Sequence, residues 1–325
     1  MKKFWKTLGI IVLLIAVLLL VVPLLVPYFP PGDVKPREQL FSDDSKVVEI
    51  NGIEIHYKES GDPNGPLILL LHGFGASTFS WHRVMEPLSA YGHVVAYDRP
   101  AFGLSERPMP EDWQAWEEDV YGEDANIAII IGLMEHFGAE QAILIGNSAG
   151  GRVAMAAAVA FPERVRALVL VDSVGGEGAS QGLLGLILRS PQLRAIGPYF
   201  VRSIANTGEE TIQRAWHDPS LITEEIIAGY KLPLQVENWD RALWEFTRAS
   251  TRADLVSRFE RLTMPVLVVS GDDDRIVPVE TAISLARQII GASLVIFENC
   301  GHVPHEECPQ AFMDAIDAFF PTIPR

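Results

Sequence analysis

A serine in a glycine-rich turn is the clearest candidate for chemistry in this sequence. The run GNSAG at 146–150 fits the pattern G-x-S-x-G and stands between a short apolar run and an alanine-rich helical stretch. A sharp turn from strand to helix holds such a serine in a strained conformation and exposes its hydroxyl at the sheet edge. We therefore predict that Ser148 is a nucleophile. The alternative is a serine that only caps the following helix.

A second glycine-containing turn, LHGFG at 71–75, follows another apolar run. When a nucleophile attacks an ester carbonyl, the oxygen becomes negatively charged, and fixed N–H donors stabilise that charge. The backbone N–H groups of Phe74 and Ala149 are the candidate donors. Gly73 and Asn147 flank the two turns, and we expect them to shape the site.

A serine nucleophile needs a base, and the base needs a carboxylate that orients it. His302, in NCGHVP at 299–304, lies on a loop after a late apolar run and is the predicted base, with His305 as its competitor. The run GDDDR at 271–275 offers three aspartates after another strand. Asp172 follows a different strand, so the residues alone leave the position of the acid open.

Short apolar runs alternate with helical stretches and must position these side chains. The runs lack polar alternation, which is typical of parallel strands buried on both faces. The dipeptide Asn51-Gly52 between two of them predicts a hairpin. The alternation predicts an α/β fold with a doubly wound sheet, interrupted over 175–257 by a helical cap rich in aromatic residues. The predicted strands include 67–71, 94–97, 142–145, 168–171, 266–270 and 294–297, and helices are expected at 117–137 and 149–160.

The N-terminal segment has a different composition. No charged residue occurs from Thr7 to Gly32, and Leu8 to Val26 consists almost wholly of Leu, Ile and Val. As a helix this stretch would span roughly 28 Å, close to the hydrocarbon thickness of a bilayer. A cleaved signal peptide is the alternative, but no A-x-A-like site follows the apolar run. We predict an uncleaved transmembrane anchor that contacts the membrane through residues 8–29.

The distribution of charge bears on orientation and on partners. Lys2, Lys3 and Lys6 precede the apolar span, which favours a cytoplasmic N-terminus and an exported catalytic domain. Beyond the first 32 residues the chain carries 23 basic and 42 acidic side chains, a net charge of −19. Such a surface repels phosphate backbones, so we expect no nucleic-acid partner.

Two cysteines, Cys300 and Cys308, offer no C-x-x-C pair, so a zinc ribbon or a thioredoxin-like site has no support. A disulfide in an exported domain and two free thiols both remain open. The predicted organisation is an anchor at 1–29, a linker at 30–45, a first core part at 46–174, the cap at 175–257 and a second core part at 258–325.

Taken together, the motifs resemble those of the α/β-hydrolase family over 47–320. HGFG, DRPAFGLS at 98–105, G-x-S-x-G, G-x-x-D-x-x-V-P at 271–278 and Gly-His occur in the family's order. The resemblance implies an eight-stranded, mostly parallel sheet with a helical cap. It also implies Asp274 as the acid in preference to Asp172, His302 as the base in preference to His305, and no metal or organic cofactor.

Within this family, the residue type at the nucleophile position differs between enzymes that catalyse different reactions. Members that act on epoxides or haloalkanes carry Asp there, whereas this chain has Ser148. The run GNSAGG is similar to the carbon–carbon bond hydrolases of aromatic ring fission, in which an aromatic residue usually follows the catalytic histidine; Val303 follows it here. An anchor combined with Asn-Cys-Gly-His resembles the monoacylglycerol-lipase-like members and implies a lipophilic ester.

Three functions follow from these expectations. The first is a membrane-anchored serine esterase with a small-molecule or lipid ester as substrate, acting through an acyl-enzyme. The second is hydrolysis of a carbon–carbon bond in a vinylogous diketone by the same residues. The third is a non-catalytic, membrane-tethered binding protein on the same fold, a class that typically lacks one member of the triad.

Overall fold

The computed structural model describes residues 2–109, 119–178, 182–249 and 253–324. Its centre is one eight-stranded sheet with the strand order β1-β2-β4-β3-β5-β6-β7-β8. Strand β2 runs antiparallel to both of its neighbours, and every other neighbouring pair is parallel. The predicted fold class is thus confirmed. The strands are β1 (Lys46–Ile50), β2 (Ile53–Ser60), β3 (Leu67–Leu71), β4 (His93–Tyr97), β5 (Ala142–Asn147), β6 (Val165–Val171), β7 (Val266–Gly271) and β8 (Ser293–Phe297).

The predicted hairpin joins β1 to β2, with Ile50 opposite Ile53. Asn51 and Gly52 have φ values of 52° and 75°. A two-residue hairpin turn of type I′ requires positive φ at both central positions, and Asn-Gly adopts this conformation at little cost. The hairpin prediction from this dipeptide is confirmed.

Helices cover both faces of the sheet, so that strands such as β3 and β5 are buried throughout. One apolar layer is built with α4 (Glu123–His136), α5 (Ala149–Ala160) and α10 (Val279–Gln288). The other is built with α3 (Met85–Leu88) and α12 (Pro309–Phe319), which follows the short α11 (Pro304–Glu307). The helix predicted over 117–137 would begin outside the described residues; residues 119–122 form a turn instead, and the helix α4 starts at Glu123, so the predicted start was too early.

In its described residues, the stretch predicted as a cap consists mainly of helices joined by short turns, with an isolated β-bridge between Val236 and Lys35. It contains α6 (Gly182–Leu188), α7 (Pro191–Ala215), α8 (Glu224–Lys231) and α9 (Trp239–Ala249). Its position relative to the core is fixed at one point by the carbonyl of Ala215 at the end of α7, which accepts a hydrogen bond of 2.6 Å from the N–H of His302. The cap therefore contacts the loop that carries the predicted base.

The N-terminal segment forms α1 (Lys2–Leu20) and the single turn α2 (Val22–Leu25). Within α1, the stretch Lys3–Leu20 has a mean hydropathy of 2.2, and none of it is buried against the rest of the chain. Pro23 lies in the first turn of α2 and has no N–H to continue the preceding helix, which accounts for the break after Leu20. The length and composition of α1 suit either a membrane anchor or a signal sequence.

The segment 30–45, predicted as a linker, is tied to both the cap and the core. The N–H of Lys35 donates to the carbonyl of Gln235 at 2.7 Å, and the N–H of Glu237 donates back to Lys35 at 3.0 Å. At the far end, the Ser45 hydroxyl lies 2.9 Å from Nε2 of the buried His56. These bonds hold the segment at both ends.

Candidate active site

The predicted nucleophile occupies the turn between β5 and α5. Ser148 has φ 52° and ψ −118°, a conformation that costs a non-glycine residue on the order of 1–3 kcal/mol. Its N–H donates to the carbonyl of Val171 at 2.9 Å, which helps to hold the turn. A Cβ atom at position 150 would lie 2.2 Å from the carbonyl oxygen of Leu71, so only glycine allows this close approach of helix and strand. The strained turn expected from G-x-S-x-G is therefore present.

The predicted base and acid are hydrogen-bonded to each other. Nδ1 of His302 lies 2.7 Å from Oδ2 of Asp274, and both side chains are buried. The other carboxylate oxygen of Asp274 accepts the N–H groups of Ile276 and Val277 at 2.7 and 2.9 Å. Hydrogen bonds from N–H donors favour the charged form of a carboxylate. An anionic Asp274 would hold the proton of His302 on Nδ1 and leave Nε2 as an acceptor.

Ser148 and His302 line the same cavity, which has a volume of about 240 Å³ and lies between the sheet edge and the cap. The lining is mainly apolar, and the cap supplies much of it. Such a cavity favours an apolar ligand positioned by a few polar groups. Its large apolar side chains are Phe74, Ile212, Trp216, Leu234, Trp239, Leu243, Ile276 and Val303.

The alternative acid, Asp172, lies next to the favoured one. Its Oδ1 accepts hydrogen bonds from the Ser270 hydroxyl at 2.7 Å and from the N–H of Gly271 at 3.0 Å. Burial, together with the nearby charge of Asp274, raises the pKa of the Asp172 carboxyl well above its ordinary value. Burial thus disfavours the charged form of Asp172, and the carboxylate bonded to His302 belongs to Asp274.

Polar atoms of Asp172, Asp274 and His302 lie within 4.8 Å of one another, which is the spacing of a set of metal ligands. A metal ion there would compete with the hydrogen bond between His302 and Asp274. It would also need an ionised Asp172, which the burial of that carboxyl disfavours. The cluster is better suited to holding a proton between its members than to holding a metal.

His305, the competing base, lies away from the cavity. Its ring packs on Trp81 with 4.3 Å between centroids, and the side chain is fully buried. Burial lowers the pKa of His305 to about 3, so the ring is neutral at ordinary pH. The geometry therefore favours His302 over His305 as the base.

The two candidate N–H donors flank the nucleophile. Phe74 lines the cavity beside Ser148, and Ala149 is the first residue of α5, where backbone N–H groups lack intrahelical acceptors. A Cβ atom on Gly73 would lie 2.9 Å from Oδ1 of Asn147 and 3.3 Å from Cβ of Ser148. The two glycine-containing turns thus touch each other, and the role of Phe74 and Ala149 in holding an oxyanion remains a prediction.

Asn147 connects the nucleophile turn to the histidine loop. Its Nδ2 donates to the carbonyl of Val171 at 3.2 Å and to the carbonyl of His302 at 3.1 Å. These bonds fix the separation of Ser148 and His302. They give a physical basis for the site-shaping role predicted for Asn147.

The loop 98–105 builds a support beside the site. The carboxylate of Asp98 accepts hydrogen bonds from His56 Nδ1 at 2.8 Å and from the N–H groups of Thr78 and Leu104 at 2.6 and 2.7 Å. Burial, the largest single influence, would raise the pKa of Asp98, but the hydrogen bond and charge of His56, with His72 and the N–H of Leu104, together outweigh it and lower the pKa to about 2. A buried anion with these partners is structural.

Glu307 is a supporting residue that the sequence reasoning missed. Its Oε2 accepts the N–H groups of Gly301 at 2.7 Å and His217 at 3.0 Å, and its Oε1 accepts the N–H of Asp218 at 2.8 Å. One carboxylate therefore joins the loop of His302 to the segment that follows α7. No motif marks this glutamate, because its partners are backbone groups of a distant segment.

Cys300 and Cys308 form a disulfide. The bond closes a short loop that contains His302 and Glu307. Of the two alternatives left open by the sequence, the structure therefore has the disulfide and not the free thiols. The covalent bond and the contacts of Glu307 hold the same loop from two sides.

Comparison with known proteins assigns the family. The sequence pattern of the alpha/beta hydrolase family matches residues 68–315. The uncharacterized hydrolase YugF of Bacillus subtilis is 28% identical over 271 residues, which is 83% of this chain and 95% of YugF. The 2-hydroxy-6-oxo-2,4-heptadienoate hydrolase of Pseudomonas putida is 27% identical over 281 residues, covering 84% of this chain and 95% of the relative.

Among solved structures, a membrane phospholipase A described as a bacterial virulence factor is similar over 99% of both chains, with a TM-score of 0.67 and 25% sequence identity. The match of the family pattern covers most of the chain and includes Ser148, Asp274 and His302. The observed fold and the related proteins both agree with this family assignment. The chain belongs to the alpha/beta hydrolase family and is a hydrolase of that fold.

Proposed function

We propose that this hydrolase is anchored in a membrane and cleaves a lipophilic carboxylic ester through a Ser148–His302–Asp274 triad. The observation that carries the proposal is the apolar cavity on which Ser148 and His302 converge, with His302 hydrogen-bonded to the buried Asp274. Members of a triad need this combination of nucleophile, base and orienting carboxylate.

In the proposed reaction, Nε2 of His302 takes the proton of the Ser148 hydroxyl while Oγ attacks the ester carbonyl carbon. The N–H groups of Phe74 and Ala149 stabilise the resulting oxyanion. The bond between carbon and the alcohol oxygen then breaks, and His302 gives its proton to the leaving alcohol. A water molecule, deprotonated by His302, attacks the acyl-enzyme, and the acid leaves as Ser148 regains its proton. Throughout, Asp274 stabilises the imidazolium form of His302.

The preference for a lipophilic substrate is supported by the cavity and by the N-terminal helix. The cap supplies Ile212, Trp216, Trp239 and Leu243 to the lining, so an acyl chain would meet apolar surface. The unburied apolar helix α1 would keep the enzyme where such esters concentrate. The similarity to a membrane phospholipase A over the full chain agrees with this substrate class.

An exported catalytic domain is supported by the disulfide. Disulfides persist in oxidising compartments and are rare in the cytosol, and Cys300–Cys308 closes the loop of the proposed base. The lysines before α1 favour the same orientation. Acid quenching of cells followed by thiol alkylation and mass spectrometry tests this: we expect both cysteines to resist alkylation. Two alkylated cysteines would place the domain in a reducing compartment.

Carbon–carbon bond hydrolysis is the second candidate, favoured by relatives such as the Pseudomonas putida dienoate hydrolase and by Asn147 before the serine. A dienoate carries a carboxylate, and a cavity that binds it needs a cation. Among the described lining residues, the cation is Lys231, which is half exposed and paired with Glu209 at 2.9 Å. An ester without a charged acyl chain fits this lining better.

A substrate panel separates the two candidates. Detergent-solubilised protein would be assayed with p-nitrophenyl esters of increasing acyl length and with a vinylogous diketone. We expect turnover of the esters, with kcat/KM rising from acetyl to medium-chain acyl groups, and loss of this turnover in Ser148→Ala. Turnover of the diketone with none of the esters would contradict the proposal and favour the second candidate.

A further inference from the structure

Four large apolar side chains stand exposed where the N-terminal anchor meets the cap. The exposed fractions are 63% for Phe29, 70% for Leu186, 48% for Ile187 and 57% for Phe200. Phe29 follows the anchor, Leu186 and Ile187 belong to α6, and Phe200 belongs to α7. We call these four residues the apolar patch. The segments that carry them touch one another, since α6 packs on α7 and the N–H of Phe29 bonds to Tyr199, the neighbour of Phe200. Contiguous exposed apolar surface of this kind marks interaction surfaces in soluble domains.

The chain after α2 is fixed to the cap beside this patch. The N–H of Phe29 donates to the Tyr199 hydroxyl at 2.9 Å, and the same hydroxyl donates to the carbonyl of Pro27 at 2.8 Å. The Tyr28 hydroxyl donates to the Asp240 carboxylate at 2.9 Å. These bonds attach the end of the anchor to both α7 and α9, so the cap cannot move independently of the anchor without breaking them.

The anchor itself also touches the cap. The side-chain amide of Gln192, in the first turn of α7, donates to the carbonyl of Leu20 at 3.1 Å. Leu20 is the last residue of α1, the helix that is apolar and unburied along its length. The apolar patch is therefore continuous with the end of a proposed membrane span.

The charge of this part of the cap differs from that of the rest of the chain. Between Glu177 and Glu209 the sequence contains Arg189, Arg194 and Arg202 and no acidic residue, in a chain with a net charge of −16. Arginine side chains near a bilayer surface interact favourably with lipid phosphates and anionic headgroups. Long basic side chains also reach from apolar surroundings to the headgroup level. Arg194 and Arg202 of α7 form ion pairs with Glu245 and Asp240 of α9. Within this stretch the basic side chain nearest in sequence to the exposed Leu186 and Ile187 is therefore Arg189, between α6 and α7.

From this combination we propose that the apolar patch lies in the headgroup region of the bilayer, so that α6 and the first half of α7 rest on the lipid surface. The inference rests on the membrane anchor of the proposed function. It adds a second point of attachment, which would hold the catalytic domain in one orientation on the membrane rather than on a free tether.

The placement has a consequence for the active site. The last two turns of α7 supply Thr211, Ile212 and Ala215 to the cavity, and the carbonyl of Ala215 accepts the N–H of His302. A single helix of about 37 Å, from its 25 residues, therefore extends from the lipid-facing patch to the loop of the proposed base. Lipid contact at Phe200 would act on the loop of His302 through the part of α7 that follows its internal proline, Pro198.

Depth-dependent fluorescence quenching tests the proposal. Full-length Phe200→Cys would be labelled with an environment-sensitive fluorophore and reconstituted in vesicles of phosphatidylcholine and phosphatidylglycerol. Some of the lipids would carry a doxyl quencher high on the acyl chain. The matched control is Ile290→Cys, since Ile290 is 88% exposed and precedes β8 at the end of the sheet remote from the cap. Leu186→Cys provides a second patch position if Phe200→Cys does not fold.

We expect quenching at the patch to exceed that at the control roughly threefold or more, because interfacial side chains reach the acyl-chain boundary. Equal quenching at both positions would overturn the proposal. A blue-shifted label that no lipid quencher reaches, with a shift that grows with protein density, would also overturn it, since a second copy of the chain would then cover the patch.

The measurement needs no turnover. A protein without ester hydrolysis but with strong quenching at the patch would refute the substrate assignment and leave this inference intact. Vesicle flotation tests the membrane anchor separately. A chain that does not float with the vesicles would refute the anchor and, with it, this inference.

Discussion

At the scale of single residues, the environments of two neighbouring aspartates separate their roles. Asp274 accepts two backbone N–H groups and the His302 ring, and these donors favour its anionic form. Asp172 lies beside Asp274 and is fully buried, and burial together with the charge of Asp274 raises the pKa of the Asp172 carboxyl. Of the two carboxyl groups, the one hydrogen-bonded to His302 is that of Asp274.

This difference predicts the outcome of two conservative substitutions. Asp274→Asn removes the charge that stabilises the His302 cation and presents an amide to its Nδ1, so we expect kcat to fall about a thousandfold or more. Asp172→Asn replaces a buried carboxyl of raised pKa by an amide of similar shape, so we expect a much smaller fall in kcat. Steady-state kinetics on a short ester give both values. A larger loss in Asp172→Asn than in Asp274→Asn would make Asp172 the acid.

The sequence patterns alone could not choose between these aspartates, because both follow buried strands on the same sheet edge. The strained turn at Ser148 was predictable, because the glycines around it allow the close approach of helix and strand that this turn requires; the catalytic role of Ser148 stays a prediction. His302 and His305 are three residues apart and differ only in where the chain takes them: one lines the cavity and the other packs on Trp81. Selecting between such candidates needs the three-dimensional contacts.

At the scale of elements, the contact between the cap and the loop that carries His302 depends largely on one carboxylate. Glu307 accepts three backbone N–H groups from the two sides of this contact. A buried acceptor that is removed leaves its donors unsatisfied. The strands themselves were predictable from their continuous apolar runs, whereas this contact involves residues separated by about 90 positions and leaves no periodic pattern.

We expect Glu307→Ala to lower the free energy of unfolding by about 3 kcal/mol, since three donors lose a charged acceptor. It should also reduce kcat more than it changes KM, because the loop of His302 loses its support while the cavity lining is retained. Chemical denaturation and steady-state kinetics provide the two readouts. Glu298→Ala is the control, as that side chain is exposed in the same loop. A Glu307→Ala variant as stable as this control would refute the role of Glu307.

A second contact between cap and core involves a buried acid. The hydroxyl of Tyr230 in α8 donates to Glu306, which is fully buried, and burial raises the pKa of Glu306 to about 8. In the unfolded chain this carboxyl titrates near its ordinary value of about 4.3. Folding therefore favours the protonated form. The stability contributed by Glu306 is complete below pH about 4.3 and is lost as the pH rises to about 8.

The neighbouring His305 has the opposite dependence, because its lowered pKa of about 3 gives a contribution that is present above its unfolded pKa of 6.5. Of these two residues, only Glu306 therefore changes the free energy of unfolding with pH between pH 6.5 and 8. We expect wild-type protein to lose about 2 kcal/mol more of its unfolding free energy over this interval than Glu306→Gln. Urea denaturation across the interval measures both. Parallel curves for the two proteins would show that Glu306 is already ionised.

At the scale of the whole molecule, an apolar helix, a cap and an acidic core form one connected unit. Composition was enough to predict a long apolar N-terminal helix, since it depends on a sum over many residues, and the structure has that helix as α1; the anchor role and the lack of a nucleic-acid partner stay predictions. The docking of segment 30–45 and the apolar patch were not predictable, because they depend on where the cap lies relative to the anchor. In the same arrangement α7 connects the apolar patch to the cavity that contains Ser148 and His302.

The central claim is that Ser148 is an activated nucleophile. The most direct test is treatment of the detergent-solubilised, folded protein with a fluorophosphonate probe, followed by mass spectrometry of the adduct. We predict a single adduct on Ser148 that is lost in His302→Ala, because the hydroxyl reacts only when a base takes its proton. Folded protein that acquires no adduct, or that is modified on another serine, would contradict the claim.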